Sequence, residues 1–133
     1  MADEALVMTI SGGRQQPLID EGASLLRLLD GSGIPITAAF WLFDPESQTW
    51  KYVLASPSVM TEGPLNVYKT IQTYVAQAGL TLQDIAVVSP HDPLVDVLRA
   101  AVPTSPTSIS RIRFTANTIN NVYIDDAYIY RVA

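Results

Sequence analysis

The sequence predicts a single α/β domain, bordering on α+β, built on one mixed sheet of about five strands in the order α-β-β-α-β-α-β-β. Two pairs of β-prone runs are each joined by a short polar turn, which is typical of antiparallel hairpins. A short apolar run, residues 85–88, lies between two segments of helical periodicity, and this alternation indicates parallel strands joined by helices. The chain has 133 residues, the size of one domain with a buried core.

The chain divides into an N-terminal arm, residues 1–17, and one domain, residues 18–133. In the arm, only the apolar residues 6–10 indicate structure, as a short strand. The domain opens on leucines that recur near helical spacing over Leu18–Leu29, and Gly31 is a stop signal. We expect this first helix to cover one face of the sheet.

The first predicted hairpin joins residues 36–43 to residues 50–55 through a polar loop that contains a proline. In the second of these strands the side chains of Trp50 and Lys51 point to opposite faces of the sheet, because successive side chains on a strand alternate. The first strand has no polar face. We expect it to lie at the centre of the sheet, covered on both sides.

Two further helices flank the short strand at residues 85–88. Pro64 suits the first turn of one helix, because its missing N–H is not needed there, and Gly79 ends that helix. Asp92 caps the other helix, which Pro103 ends. We expect both strand–helix–strand connections to be right-handed and to give parallel strand pairs.

The last hairpin pairs residues 122–132 with the strand that starts near residue 111. Asn120-Asn121 predicts a tight turn between the two strands, because asparagine tolerates positive φ better than most residues. At Asp125-Asp126 the alternation of apolar and polar residues slips, which predicts a β-bulge.

Composition and charge disfavour several functions. Eight basic and thirteen acidic residues give a net charge of −5, which argues against binding to nucleic acid or to an anionic membrane. The absence of cysteine excludes disulfides, thiol catalysis and cysteine metal sites. We find neither a secretory signal nor a membrane-spanning apolar run, and expect a soluble, cytoplasmic protein. Glycine-rich phosphate loops and the GxSxG nucleophile motif are also missing.

A strand-end pocket is the first candidate site. Ser56-Pro57 and Ser89-Pro90 each follow a predicted strand, and both turns meet at one sheet edge if those strands are parallel neighbours. Ligands bind at such edges, where helix N-termini offer free N–H groups. His91, as a base or ligand, and Asp92 complete the candidate pocket. The alternative is structural, with Asp92 as a helix cap and His91 as an exposed loop residue.

The last hairpin carries the second candidate, a surface rich in arginine and tyrosine. Its residues are Arg111, Arg113, Tyr123, Tyr128, Tyr130 and Arg131. Tyrosine and arginine are enriched at protein interfaces, so the pattern favours a packing or subunit surface. Arginines interleaved with aromatic residues on a sheet can also stack the bases of single-stranded nucleic acid, although the acidic net charge weakens that alternative.

Acidic residues give weaker candidates for a metal site. Asp44, Glu46 and Lys51 resemble the acidic-plus-lysine set with which some nucleases hold Mg²⁺, but they also fit a solvated hairpin tip. Asp125 and Asp126 are adjacent on a strand and face opposite ways, so only a bulge would let them share a metal. A single histidine without cysteine disfavours zinc. We expect no metal and no cofactor.

Four stretches carry a resemblance to other proteins: Phe40–Ser47, Ala55–Pro57, Val88–Pro93 and Ala127–Arg131. In them the chain resembles a set of small bacterial proteins of unknown function, and the likeness covers most of the chain beyond the N-terminal arm. The resemblance implies no activity, cofactor or partner, so no functional residue is carried over from it.

The leading hypothesis is a non-catalytic bacterial accessory protein that acts by protein–protein association, as a homo-oligomer or with the product of a neighbouring gene. It rests on the missing catalytic motifs and on the Trp, Tyr and Arg residues of the predicted hairpins. One alternative is a small hydrolase, with or without a metal, that uses the strand-end pocket around His91. The other is a weak single-stranded nucleic-acid binder that acts through the last hairpin.

Overall fold

The computed structural model describes residues 13–133, in which four α-helices and one 3₁₀ helix pack on an open sheet of five strands. The elements are α1 Ile19–Gly31, β1 Ala38–Asp44, β2 Thr49–Ala55, α2 Ser58–Glu62, α3 Pro64–Gln77, the 3₁₀ helix Leu82–Asp84, β3 Ile85–Val88, α4 Pro93–Ala101, β4 Ile112–Ile119 and β5 Val122–Val132. The α/β class and the single mixed sheet are confirmed, and the short α2 is an addition. The strand predicted at residues 6–10 lies outside the described residues. Within residues 13–133, no helix has the length and apolarity needed to cross a membrane.

The strands lie in the order β3-β2-β1-β5-β4, with the apolar β1 at the centre, as predicted. β2 pairs antiparallel with β1 and parallel with β3, which confirms the first hairpin and the first crossover. The prediction that the second crossover also gives a parallel pair is wrong. The long β5 takes the free side of β1, and β4 follows it as a hairpin partner, so β4 lies at the edge opposite β3 and antiparallel to it.

One face of the sheet is covered by α1 and α3. Beneath α1, the rings of Trp41 and Tyr52 stack with centroids 4.9 Å apart, and Tyr130 meets Tyr52 edge-on. The Tyr52 hydroxyl donates to the Gly22 carbonyl at 2.7 Å, and the Trp41 indole N–H donates to the Tyr130 hydroxyl oxygen at 3.2 Å. Each buried ring therefore has a partner for its polar atom, which fixes how α1 lies on the sheet.

The opposite face is covered, among the described helices, by α4 alone, which packs Val95 and Leu98 into the core of that side. A helix of nine residues is about 14 Å long and about 10 Å across, so in either orientation it is narrower than the sheet, which is roughly 19 Å wide between its outer strands. The helix is therefore too short to cover the whole face, and the ends of the two hairpins are left open on this side.

The hairpin between β4 and β5 turns at Asn120-Asn121, whose φ angles of 50° and 68° confirm the predicted tight turn. The bulge predicted at Asp125-Asp126 is absent, because β4 and β5 keep one register on both sides of it. The alternation does slip there, since Ile124 and Ala127 enter the same core cluster. The slip is accommodated on the partner strand, where Ala116 takes a φ of 46°.

A bulge does occur in β5, but at Tyr130, where the register against β1 shifts. It lets two successive side chains reach α1. The Tyr130 hydroxyl donates to the Ile19 carbonyl at 2.6 Å, and the Arg131 guanidinium binds the carboxylate of Asp30. Regular alternation would have sent one of these two side chains to the opposite face of the sheet.

The buried tyrosines predict a loss of stability at high pH. Burial raises the pKa of Tyr52 well above its ordinary value of 10.0, and burial also raises the pKa of Tyr130. The folded protein therefore keeps protons that the unfolded chain releases above about pH 10. The free energy of unfolding should be retained below that pH and fall above it, by up to about 1.4 kcal/mol per pH unit for each tyrosine.

Urea unfolding followed by circular dichroism, from about pH 8 to about pH 11, checks this expectation. Tyr52→Phe removes one of the titrating groups and should make the loss with pH shallower. Burial lowers the pKa of Lys51, which adds stability as the pH rises towards 10.5 and so acts in the opposite sense. The difference between wild type and variant isolates Tyr52, and identical slopes would contradict the prediction.

Candidate functional site

The strand-end pocket predicted around His91 has its two turns side by side. The Ser56 N–H donates to the Val88 carbonyl at 3.1 Å, so the turns that follow β2 and β3 meet at one sheet edge, as expected. Ser56 is fully buried. Its hydroxyl donates to the Pro35 carbonyl at 2.6 Å and accepts from the Ser58 N–H at 3.2 Å. The hydroxyl is thus engaged both by its own turn and by the segment that precedes β1.

The other three residues of this set shape the turn and the start of α4. The Ser89 hydroxyl oxygen accepts from the backbone N–H of His91, and Asp92 accepts from the backbone N–H of Leu94, each at 3.0 Å. Asp92 is therefore the predicted cap of α4. The His91 side chain is exposed, and none of the hydrogen bonds formed within residues 13–133 involves its imidazole. These contacts agree with the structural alternative, and a catalytic role for His91 stays a prediction.

Three residues of the arginine–tyrosine surface lie together on the side of the sheet that α1 covers, namely Arg111, Arg113 and Tyr128. Arg113 forms a two-pronged ion pair with Asp126. A hydrogen bond to Tyr128 raises the pKa of Arg111, whose guanidinium also lies 3.7 Å from Asp20. Each arginine therefore already faces a carboxylate of its own chain. This arrangement reduces the positive charge available to phosphates, and nucleic-acid binding stays a prediction.

Tyr130 and Arg131 lie inside the fold, which corrects their placement on a surface. Tyr130 is fully buried, and only 1% of Arg131 is exposed. The Arg131 guanidinium donates to both carboxylate oxygens of Asp30, at 3.0 and 2.9 Å, and to the carbonyls of Ile36 and Ser108. The bulge in β5 is the physical reason, because it turns both side chains towards α1.

Asp44 and Lys51, which belong to the weaker metal-site candidate at the first hairpin, are engaged in other contacts. Asp44 accepts from the Glu46 N–H and from the Ser47 hydroxyl within the hairpin loop. The Lys51 ammonium donates to the Gln83 carbonyl at 2.7 Å. Within residues 13–133, no three acidic or histidine side chains are grouped in a way that could hold a metal ion.

A groove lies where the two hairpins part. β1 and β5 pair only as far as Leu42 and Ala127, whereas β1 continues to Asp44 and β5 begins at Val122. The opening between them, which we call the hairpin groove, has a volume of about 210 Å³. It is lined by Leu42, Phe43, Asp44, Pro45, Lys51, Val53, Leu94, Tyr123, Ile124 and Asp125.

The hairpin groove combines apolar walls with a few charged groups. Lys51 is buried, and burial lowers the pKa of its ammonium while the carboxylate of Asp84 opposes that change. Asp125 is half-buried and forms neither a hydrogen bond nor an ion pair within the described part of the chain. Tyr123, which the sequence placed on an interaction surface, is 59% exposed and borders the groove. Such a groove can hold an apolar group with a charge next to it.

The two edges of the sheet differ. At the short β3, the Tyr68 hydroxyl donates to the Ile85 carbonyl at 3.2 Å and accepts from the Val87 N–H at 2.9 Å. β4 has eight residues, and among residues 13–133 only β5 hydrogen-bonds to the backbone of Ile112–Ala116. One edge is therefore closed by a tyrosine, whereas the other presents free N–H and C=O groups.

Sequence reasoning missed the hairpin groove because its lining comes from four separate segments of the chain. The only local signals are Asp44-Pro45 and Tyr123–Asp125, which lie next to the two hairpin turns. No family model, curated protein or solved structure matches this chain. Its function is therefore inferred from the open edge of β4 and from the hairpin groove.

Proposed function

We propose that this chain is a non-catalytic, cytoplasmic bacterial accessory protein that associates with a second copy of itself through the outer edge of β4. The observation that carries the proposal is the contrast between the closed edge at β3 and the open edge at β4. Free N–H and C=O groups on an edge strand are a template for a further strand. Two copies of one strand can pair antiparallel about a two-fold axis, the commonest symmetry of homo-oligomers.

The charges beside β4 support self-association. Like charges that face each other across paired strands are destabilising, and a two-fold axis brings identical arginines near one another. Arg113 is neutralised by Asp126, and Arg111 lies close to Asp20. The repulsion between two copies is therefore reduced by carboxylates that each chain supplies for itself.

Ala116 limits how much of the edge is regular. Its φ of 46° interrupts the pairing of β4 with β5 between Thr115 and Asn117. The longest regular stretch is Ile112–Thr115, so a second copy would bury little surface beyond the backbone. We therefore expect a weak dimer whose population rises with protein concentration.

Size-exclusion chromatography with light scattering tests the proposal over a range of protein concentrations. The wild-type mass should rise from that of a monomer towards that of a dimer. The double variant Thr115→Lys/Asn117→Lys should stay monomeric, because it places one lysine at the end of the regular stretch and another directly beside it, and lysines on an edge strand disfavour pairing with a like-charged copy. Both side chains are exposed, so the variant should keep its fold.

Gln72→Lys/Thr73→Lys is the matched control. It adds the same charge at exposed positions of α3, which packs beside the opposite edge of the sheet, and it should dimerise like the wild type. Circular dichroism compares the folds of both variants. A wild-type monomer at every concentration would refute the proposal, and so would a β4 variant that dimerises as well as the wild type.

A further inference from the structure

We infer that the hairpin groove binds a small organic cation whose charged nitrogen is attached to an apolar body, such as an aromatic ring. The inference goes beyond the proposed association, which uses the outer edge of β4 and leaves the groove free. Three features of the groove point to this class of ligand: its apolar walls, its carboxylates and the exposed ring at its border.

The walls and the size of the groove fit one apolar ring. Leu42, Val53 and Ile124 belong to three different strands, and Leu94 belongs to the first turn of α4. The volume of about 210 Å³ exceeds the roughly 150 Å³ of an apolar cavity that accommodates benzene. A ring bound here removes its own apolar surface and that of the walls from water, which drives binding.

The carboxylates of the lining favour a ligand in which a positively charged nitrogen is attached to that ring. Asp125 is half-buried and has no hydrogen-bond or ion-pair partner among residues 13–133. Each carboxylate oxygen of Asp44 accepts one hydrogen bond, from the Glu46 N–H or from the Ser47 hydroxyl, and has a second lone pair to offer. An ammonium group beside these oxygens gains a charge-assisted hydrogen bond in a partly desolvated place.

Lys51 does not reverse the charge balance of the groove. Its ammonium donates to the Gln83 carbonyl at 2.7 Å, and the lining still holds two carboxylates against this one cation. The ring of Tyr123, 59% exposed at the border, adds a face on which a cation is attracted. The groove as a whole therefore favours an apolar cation over an apolar anion of the same shape.

Titration with phenethylamine, followed by NMR of the backbone amides, tests the inference on the full chain. The amide signals of Leu42, Tyr123 and Ile124 should shift. Phenylethanol has the same shape without the charge and should bind about tenfold more weakly, because its neutral hydroxyl has no positive charge to pair with the carboxylates. Phenylpropionate should leave these signals in place, because the carboxylates repel it. Added salt should weaken the binding of the amine.

Variants assign the effect to individual groups. Asp125→Asn should weaken phenethylamine binding about tenfold, and Tyr123→Ala about threefold. Asp125 is half-buried and 59% of Tyr123 is exposed, so both variants should keep the fold. Glu62→Gln removes an exposed carboxylate on α2, outside the groove, and should leave the affinity unchanged.

Four outcomes would overturn the inference. In the first, phenylpropionate would shift the same signals as strongly as the amine. In the second, Asp125→Asn would bind the amine like the wild type, and in the third no ligand would shift the signals at all. In the fourth, a second copy occupies the groove: the mass of Tyr123→Ala from light scattering then falls below that of the wild type, while the amine leaves the spectrum unchanged.

Discussion

Replacing Arg131 with alanine is expected to lower the free energy of unfolding by about 3 kcal/mol. The guanidinium joins three parts of the chain: it binds Asp30 at the end of α1, the Ile36 carbonyl before β1 and the Ser108 carbonyl before β4. Alanine leaves all of these acceptors without their donor, and each buried acceptor without a partner is costly. The value lies at the low end for buried ion pairs, because 35% of the Asp30 side chain is exposed and keeps some hydration.

Urea unfolding at neutral pH measures this effect, with two comparison variants. Arg131→Lys keeps the charge but cannot donate to several acceptors in one plane, so it should lie between the wild type and the alanine variant. Arg27→Ala removes an exposed arginine of α1 and should change stability by less than about 0.5 kcal/mol. If Arg131→Ala behaved like Arg27→Ala, the described network would contribute nothing to folding.

Gly22→Ala is expected to cost about 1–3 kcal/mol of stability, although alanine is the better helix former. A Cβ atom at Gly22 would lie 2.5 Å from the Tyr130 hydroxyl oxygen and 2.8 Å from the Trp41 indole nitrogen. That hydroxyl cannot move aside freely, because it donates to the Ile19 carbonyl and accepts from Trp41. α1 would therefore have to shift away from the sheet, which would also strain the bond from Tyr52 to the Gly22 carbonyl.

Gly31→Ala provides the matched control in the same helix. A Cβ atom there meets nothing within 4 Å, so the change should be neutral or stabilise by up to about 1 kcal/mol. Thermal unfolding of both variants measures the difference, and near-ultraviolet circular dichroism reports the packing of the aromatic rings. Equal gains in both variants would show that α1 does not need its close approach to Trp41 and Tyr130.

Much of the fold could be predicted because its signals are local. Pro64 and Asp92 mark helix starts through the hydrogen-bonding needs of a first turn, and both helices begin where these residues indicate. Asn120-Asn121 marks the last turn, because few other residues adopt two successive positive φ angles. The unbroken apolar run of β1 predicted its central place, since only a strand covered on both faces can be apolar throughout.

The candidate sites were less predictable, since they depend on which strands pair. The sequence correctly placed Ser56 and Ser89 together at the carboxyl ends of two strands, because a short connection through a helix makes β2 and β3 parallel neighbours. It gave no sign that Tyr68 would bond to the outer backbone of β3. Arg131 and Tyr130 looked like surface residues, because the alternation pattern cannot show a bulge that depends on pairing with β1.

The amino-acid sequence by itself determined the strands, the three longer helices, their order and the two hairpin turns, because capping, turn geometry and periodicity act over a few neighbouring residues. Only the tertiary structure decided that β4 lies far from β3, that Arg131 is buried against Asp30, and that the two hairpins part around a groove. Arg131 and Asp30 are 101 positions apart in the chain. A contact of that kind depends on which strand pairs with the free side of β1, and no local pattern of residues encodes that choice.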